Sequence, residues 1–174
     1  MPEHILSFLI IIPLLGALVT ALWPTNQVSP LRWISLGTLL AQLLVVAIVL
    51  LSFNKQIPGY QLSEEIDWIT LSMGSWGTVS IDYALGVDGI NIGLVALSVI
   101  VLLVGLISSW NIDKRPKAYF TLYQILTASI IGCFLAKDFF LFYLFFEFML
   151  LPMYFLIGIW GGPRREYAAI KFFI

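Results

Sequence analysis

Glu147 is the one acid or base in the apolar run FFLFYLFFEFMLLPMYFLIGIW, from Phe139 to Trp160. As a helix that run rises about 33 Å, enough to cross the roughly 30 Å hydrocarbon core of a bilayer, and it sets Glu147 near mid-membrane. A charged carboxylate at that depth costs about 2.5 to 3.5 kcal/mol on insertion scales, so side chains of this kind mark ion and proton pathways. Uptake and release of a proton is the chemistry this residue type offers. The competing reading is a protonated acid that packs and hydrogen-bonds. Pro152 favours the first, because proline lacks an N–H and clashes with the carbonyl four residues back, here that of Phe148, predicting a kink and a freed carbonyl just past the acid. Tyr143 and Tyr154 fall four residues before and seven after Glu147, which places two phenols on its face. Ordinary core or interfacial tyrosines are the alternative.

Two further polar side chains lie within apolar surroundings. Gln124 shares a helical stripe with Thr121, Ala128 and Gly132, and a buried amide there must find a partner on a neighbouring helix. Lys171 lies about five residues into the last apolar segment and reads as a secondary, structural group. The chain offers no other reactive constellation. Cys133 is the only cysteine and His4 the only histidine, so no metal cluster, CxxC pair or Ser-His-Asp set can be assembled. No redox centre or bound cofactor is expected in this chain. The 9 basic and 10 acidic residues, for a net charge of −1, form no patch able to neutralise phosphates, which excludes nucleic acid as a partner.

The elements that must position these groups follow from composition. Of 174 residues 60% are hydrophobic and 11% charged, and the mean hydropathy is +0.98. Those values place the chain among integral membrane proteins, with the bilayer as its solvent. A first helix is predicted from Ile5 to Trp23, bent at Pro13, retained because a signal peptide would begin with positive charge. A short connection, WPTNQVSP, leads to a second helix from Leu31 to Phe53. There Gly37 and Ala41 form a small-residue face suited to close approach. Residues 54–86 read as an extramembrane loop containing strands Trp68 to Leu71 and Thr78 to Tyr83, joined through Gly74 and Gly77 as a small β-hairpin. Its charged residues Lys55, Glu64, Glu65, Asp67 and Asp82 are expected to be solvated. A third helix spans Asp88 to Trp110, capped by Asp88, with Asn91, Ser98, Gly105 and Ser109 facing other helices. The basic loop NIDKRPK precedes a fourth helix from Ala118 to Ala136. Lys137 and Asp138 form a tight turn, Asp138 caps the fifth helix, and a sixth begins near Glu166 and runs to Ile174. The expected fold is therefore an all-α polytopic membrane protein, with five complete transmembrane helices, the start of a sixth, and a hairpin between helices two and three.

Basic residues set the expected orientation. Loops one, three and five carry Arg32, Lys114, Arg115, Lys117, Arg164 and Arg165, whereas loops two and four carry only Lys55 and Lys137. The positive-inside rule then puts the odd loops in the cytoplasm and the N-terminus outside.

The sequence FFEFMLLPMYFLIGIWGG from Phe145 to Gly162, followed by Arg164-Arg165 and by AAIKFF from Ala168 to Phe173, resembles the antiporter-like subunit M (chain 4) family of NADH:quinone oxidoreductase, respiratory complex I. GVDGIN, from Gly86 to Asn91, resembles the start of that family's third helix. The resemblance runs through the whole chain in helix order and would correspond to the opening third of a fourteen-helix subunit. It implies residues 1–117 as supporting helices and 118–174 as the start of the first of two inverted repeats. It further implies proton translocation in the membrane arm, with Glu147 as the helix-five glutamate whose lysine partner lies beyond Ile174, and with Lys171 distinct from that lysine. NADH, FMN, iron–sulfur clusters and quinone would bind elsewhere in the complex. The partners would be neighbouring antiporter-like subunits and lipid, and the location a bacterial inner (plasma) membrane. A multisubunit cation/proton antiporter, a membrane-bound hydrogenase subunit, and a non-transporting scaffold are the alternatives.

Overall fold

The computed structural model describes residues 4–24, 27–54, 56–72 and 78–174. In chain order the elements are α1 (Ile5–Leu22), α2 (Val28–Ser52), β1 (Gln61–Ser72), β2 (Thr78–Val87), α3 (Asn91–Ser108), α4 (Pro116–Leu135), α5 (Phe139–Trp160) and α6 (Arg165–Phe173). The first five helices are long and apolar enough to cross a membrane. Helix α4 is the hub, packing against α1, α2, α3 and α5, while α6 packs on α5. The core divides along the membrane normal. One half is built from Leu6, Leu9, Val46, Val99, Ile131 and Leu135, the other from Leu31, Leu39, Leu102, Leu106, Phe120 and Tyr123.

In lipid, every freed backbone group needs a partner inside the protein. Helix α1 contains Pro13, which leaves the Leu9 carbonyl without its helical N–H. Gln42 of α2, fully enclosed, donates from Nε2 to that carbonyl at 2.8 Å. Gln124 of α4 joins the same three-helix seam through side chains alone. Its Oε1 accepts from Thr38 Oγ1 of α2 at 3.0 Å, and its Nε2 donates to Ser35 Oγ at 3.1 Å and to Thr20 Oγ1 of α1 at 3.3 Å. Gly16 of α1 is needed at this crossing, since a side chain there would collide with Gln124 and Thr38.

Three sequence expectations are corrected. The strands are longer than the alternating segments alone, because Gln61 to Asp67 also pairs with Val87 to Asp82, with irregularities in the register after Gln61 and after Asp67. Helix α3 starts at Asn91, three residues late, because Asp88 spends its carboxylate on the entry turn: Oδ1 accepts from Ile90 N and Asn91 N, while Asn91 Oδ1 accepts from Asp88 N. In α2, Gly37 has open space around it among the described residues, so no helix is packed against it here. The buried face is instead Leu31, Ser35, Leu39, Gln42, Val46 and Val49, chosen by the polar side chains that need partners. Lys55, Gly74 and Gly77 lie outside the described residues.

The connections sort to two ends. At one, the hairpin lies against the start of α1 and the turn between α4 and α5, where Lys137 N donates to Ala84 O at 2.8 Å. At the other, Arg32 pairs with Asp113 at 2.8 Å and Trp33 meets Trp110 edge to face at 5.4 Å. Trp23 and Trp160 lie at the same end, forming with these two an aromatic belt of the kind found at membrane interfaces.

The Pro13–Gln42 relation predicts a compensation. Gln42→Leu strands the Leu9 carbonyl and should destabilise the protein by about 1–3 kcal/mol. Adding Pro13→Ala, which restores the helical N–H, should recover most of that loss in denaturant unfolding of the detergent-solubilised protein.

Candidate functional site

The site is built on α5, and both ends of that helix are held. Asp138 Oδ1 accepts from Leu141 N at 3.0 Å, the expected N-cap. The turn just before it is gripped by the hairpin. Lys137 Nζ pairs with Glu65 and donates to Ser63 Oγ at 3.3 Å, and it sits 5.2 Å from the centre of the Tyr60 ring. At the far end Lys114 Nζ donates to the Ile159 carbonyl at 3.1 Å, a cation on a helix C-terminus. Trp160 Nε1 returns a bond to the Lys114 carbonyl at 2.7 Å. Along its length α5 meets α4 where Phe145 lies over Gly132, so closely that a Cβ there would stand 2.5 Å from the ring.

Glu147 lies on the opposite, exposed side of α5, a helix whose buried residues are only Leu141 and Pro152. Tyr143, one turn earlier and 52% exposed, is close enough for its phenol to interact with the Glu147 carboxyl. Tyr154 turns to α6, where its ring meets Phe173 at 5.6 Å. Pro152 is buried within a helix that continues through it. Gln124 sits across the bundle, bonded to α1 and α2 rather than to the acid. Lys171 is exposed on α6 and lies 5.9 Å from the Tyr167 ring centre. Among the described residues Glu147 has no ion pair; Tyr143 lies near it, while Gln124, Tyr154 and Lys171 pack elsewhere. No three His, Cys, Asp or Glu side chains converge among the described residues.

Sequence reading missed one carboxylate. Glu64, expected in solvent, is 4% exposed and sits over the N-terminus of α1. It accepts from Leu6 N at 2.5 Å and Ser7 N at 3.1 Å, and from the Ser7 hydroxyl. The first N–H groups of a helix have no internal partner and carry partial positive charge, which is why a carboxylate is stable there. Ser7 Oγ is also 3.0 Å from the Tyr83 hydroxyl. In the register Glu64 pairs with Leu85, itself fully buried, so the two share the inward face of the hairpin, which no local sequence pattern marks.

Comparison with known proteins places this geometry. A model of the NADH:quinone oxidoreductase/Mrp antiporter transmembrane family matches residues 136–174, the segment that carries Glu147. NAD(P)H-quinone oxidoreductase chain 4 of Microcystis aeruginosa is 35% identical over 170 residues, covering 97% of this chain and 30% of that one. Over nearly its whole length the chain is similar to members of this membrane family. NADH-quinone oxidoreductase subunit M of Rhodobacter capsulatus is 36% identical over 176 residues, covering 99% of this chain and 33% of its own length. The chain thus spans about a third of the length of the curated family members it matches. A chain of the membrane-bound sulfane sulfur reductase, an archaeal respiratory membrane complex, shares the fold. Its TM-score is 0.71 at 18% identity, covering 97% of this chain and 24% of that one.

Tyr83 supplies a pH test of the hairpin junction. Burial foremost raises its phenol above the ordinary 10.0; the Ser7 hydrogen bond opposes this and the Glu64 charge adds to it. The folded state therefore holds this proton more tightly than the unfolded chain, so the stabilisation is complete below the ordinary value and drains as pH rises through the raised one. Unfolding followed across the alkaline range should show this loss in the wild type, and Tyr83→Phe should remove that component.

Proposed function

We propose that this chain is part of a membrane-arm subunit of an NADH:quinone oxidoreductase, one that moves protons across the membrane with Glu147 as the group that takes them up and releases them. The observation that carries the reading is a lone carboxyl at mid-helix, on a face of α5 that packs on nothing among the described residues, inside the segment matched by the family model. A cation brought up to a carboxyl in low dielectric favours its charged form, and withdrawing the cation favours the protonated form. A lysine from the further length seen in the relatives would supply that cation. Tyr143 is placed to share the proton, and Pro152 leaves the Phe148 carbonyl free to hold water near the acid. Lys171, Tyr154 and Gln124 act as packing groups in this scheme. Residues 118–174 form the start of the transporting repeat, and 1–117 support it.

Electron transfer from NADH to quinone belongs to other subunits, which hold the flavin, iron–sulfur clusters and quinone. Neighbouring antiporter-like subunits and lipid surround this one in a bacterial inner membrane. The N-terminus and the hairpin lie outside, and the loops bearing Arg32, Lys114, Arg115, Lys117, Arg164 and Arg165 lie in the cytoplasm.

Two measurements check this. Glu147→Gln in the intact complex should cut quinone-coupled proton pumping sharply, and pumping at the wild-type rate would refute the assignment. For orientation, Thr70→Cys should react with a membrane-impermeant maleimide in intact cells, and Asn111→Cys only after permeabilisation.

A further inference from the structure

We propose that Gln42 binds one buried water molecule through its Oε1 atom, beside Pro13 of α1. The argument starts from Pro13, which deprives the Leu9 carbonyl of its helical donor. Because only the NH2 end of an amide side chain can donate, the 2.8 Å bond to that carbonyl fixes which end of the Gln42 amide is Nε2. The other end, Oε1, is then a buried acceptor, and it has no hydrogen-bond partner among the described residues.

The polar side chains nearest along the seam have no hydrogen left to give it. Thr38, one turn earlier on α2, directs its hydroxyl to the Ile34 and Ser35 carbonyls and to Gln124 Oε1. Gln124 donates both amide hydrogens, to Thr20 and Ser35. Ser35 donates to the Leu31 carbonyl, and Thr20 is engaged with Gly16, Ala17 and Thr121. An acceptor left unmade in such surroundings is costly, and buried polar atoms without a protein partner are satisfied by ordered water.

The donor must also be small. Gln42 is 0% exposed within this chain alone, so neither a lipid headgroup nor any further polypeptide can reach it. A proline kink opens the helical ladder at the carbonyl it displaces, which is where water inserts. A water there donates one hydrogen to Gln42 Oε1 and the other to the second lone pair of the Leu9 carbonyl, within the two to four bonds usual for internal water. The site is separate from Glu147, lying between α1 and α2 on the other side of α4, where this water fixes α1 against α2.

Radiolytic hydroxyl labelling of the native membrane complex in 18O-water tests it, because internal water labels the side chains that touch it. Leu9 and Leu106 are both 0% exposed, and only Leu9 adjoins the proposed site. Leu9 should take up 18O and Leu106 should not, and the Leu9 label should be lost in the Pro13→Ala/Gln42→Leu double variant, which removes Oε1 and gives the Leu9 carbonyl back its helical N–H. Equal labelling of Leu9 and Leu106 in the wild type overturns the proposal even if the double variant does not assemble. So does a Leu9 label that survives in the double variant, or an experimental map in which a protein group donates to Gln42 Oε1.

Discussion

An amide inside a bilayer has no solvent to bond to, and Gln124 meets that constraint by bonding two other helices at once. Thr20 of α1 and Ser35 and Thr38 of α2 all converge on it. That convergence sets the register of three helices at a single level, and Gly16 lets α1 come close enough to complete it. Apolar packing alone would leave helices in lipid free to slide, since lipid tails are as apolar as leucine. Everything on the far side of α4, including α5 and its acid, hangs on a hub fixed in this way.

The two intrahelical prolines show how differently one local defect can be used. Pro13 frees a carbonyl that Gln42 takes up within a closed seam. Pro152 frees a carbonyl one residue past Glu147, and among the described residues no side chain donates to it. The first defect is absorbed into scaffold. The second stays available on an open face, beside the one carboxyl at mid-membrane.

Sequence alone was informative wherever the membrane imposed a strong rule. The span of α5, its Asp138 cap, the interhelical partner of Gln124 and the five membrane-crossing segments all follow from the cost of exposing polar groups to lipid. The signals failed where pairing at a distance decides. Glu64 looks like any charged residue in a polar loop, and its burial depends on hairpin register and on the start of α1, which lies 58 positions away in the chain. The Gly37/Ala41 pattern pointed to the wrong face of α2 because small residues permit contact without requiring it, whereas Gln42 and Ser35 require it. Tyr154 shares a helical face with Glu147 in projection, yet its ring follows the neighbouring α6.

The grip on both ends of α5 limits how the molecule can respond at Glu147. The hairpin and Asp138 hold the first turn, and Lys114 and Trp160 tie the last turn to the loop before α4. A rod pinned at both ends cannot piston along its axis without breaking one of these clasps. It can still bow or rotate slightly at its middle, where the proline lies. In the proposed scheme any change of environment at the carboxyl therefore has to arrive sideways, with α5 as the stationary rail.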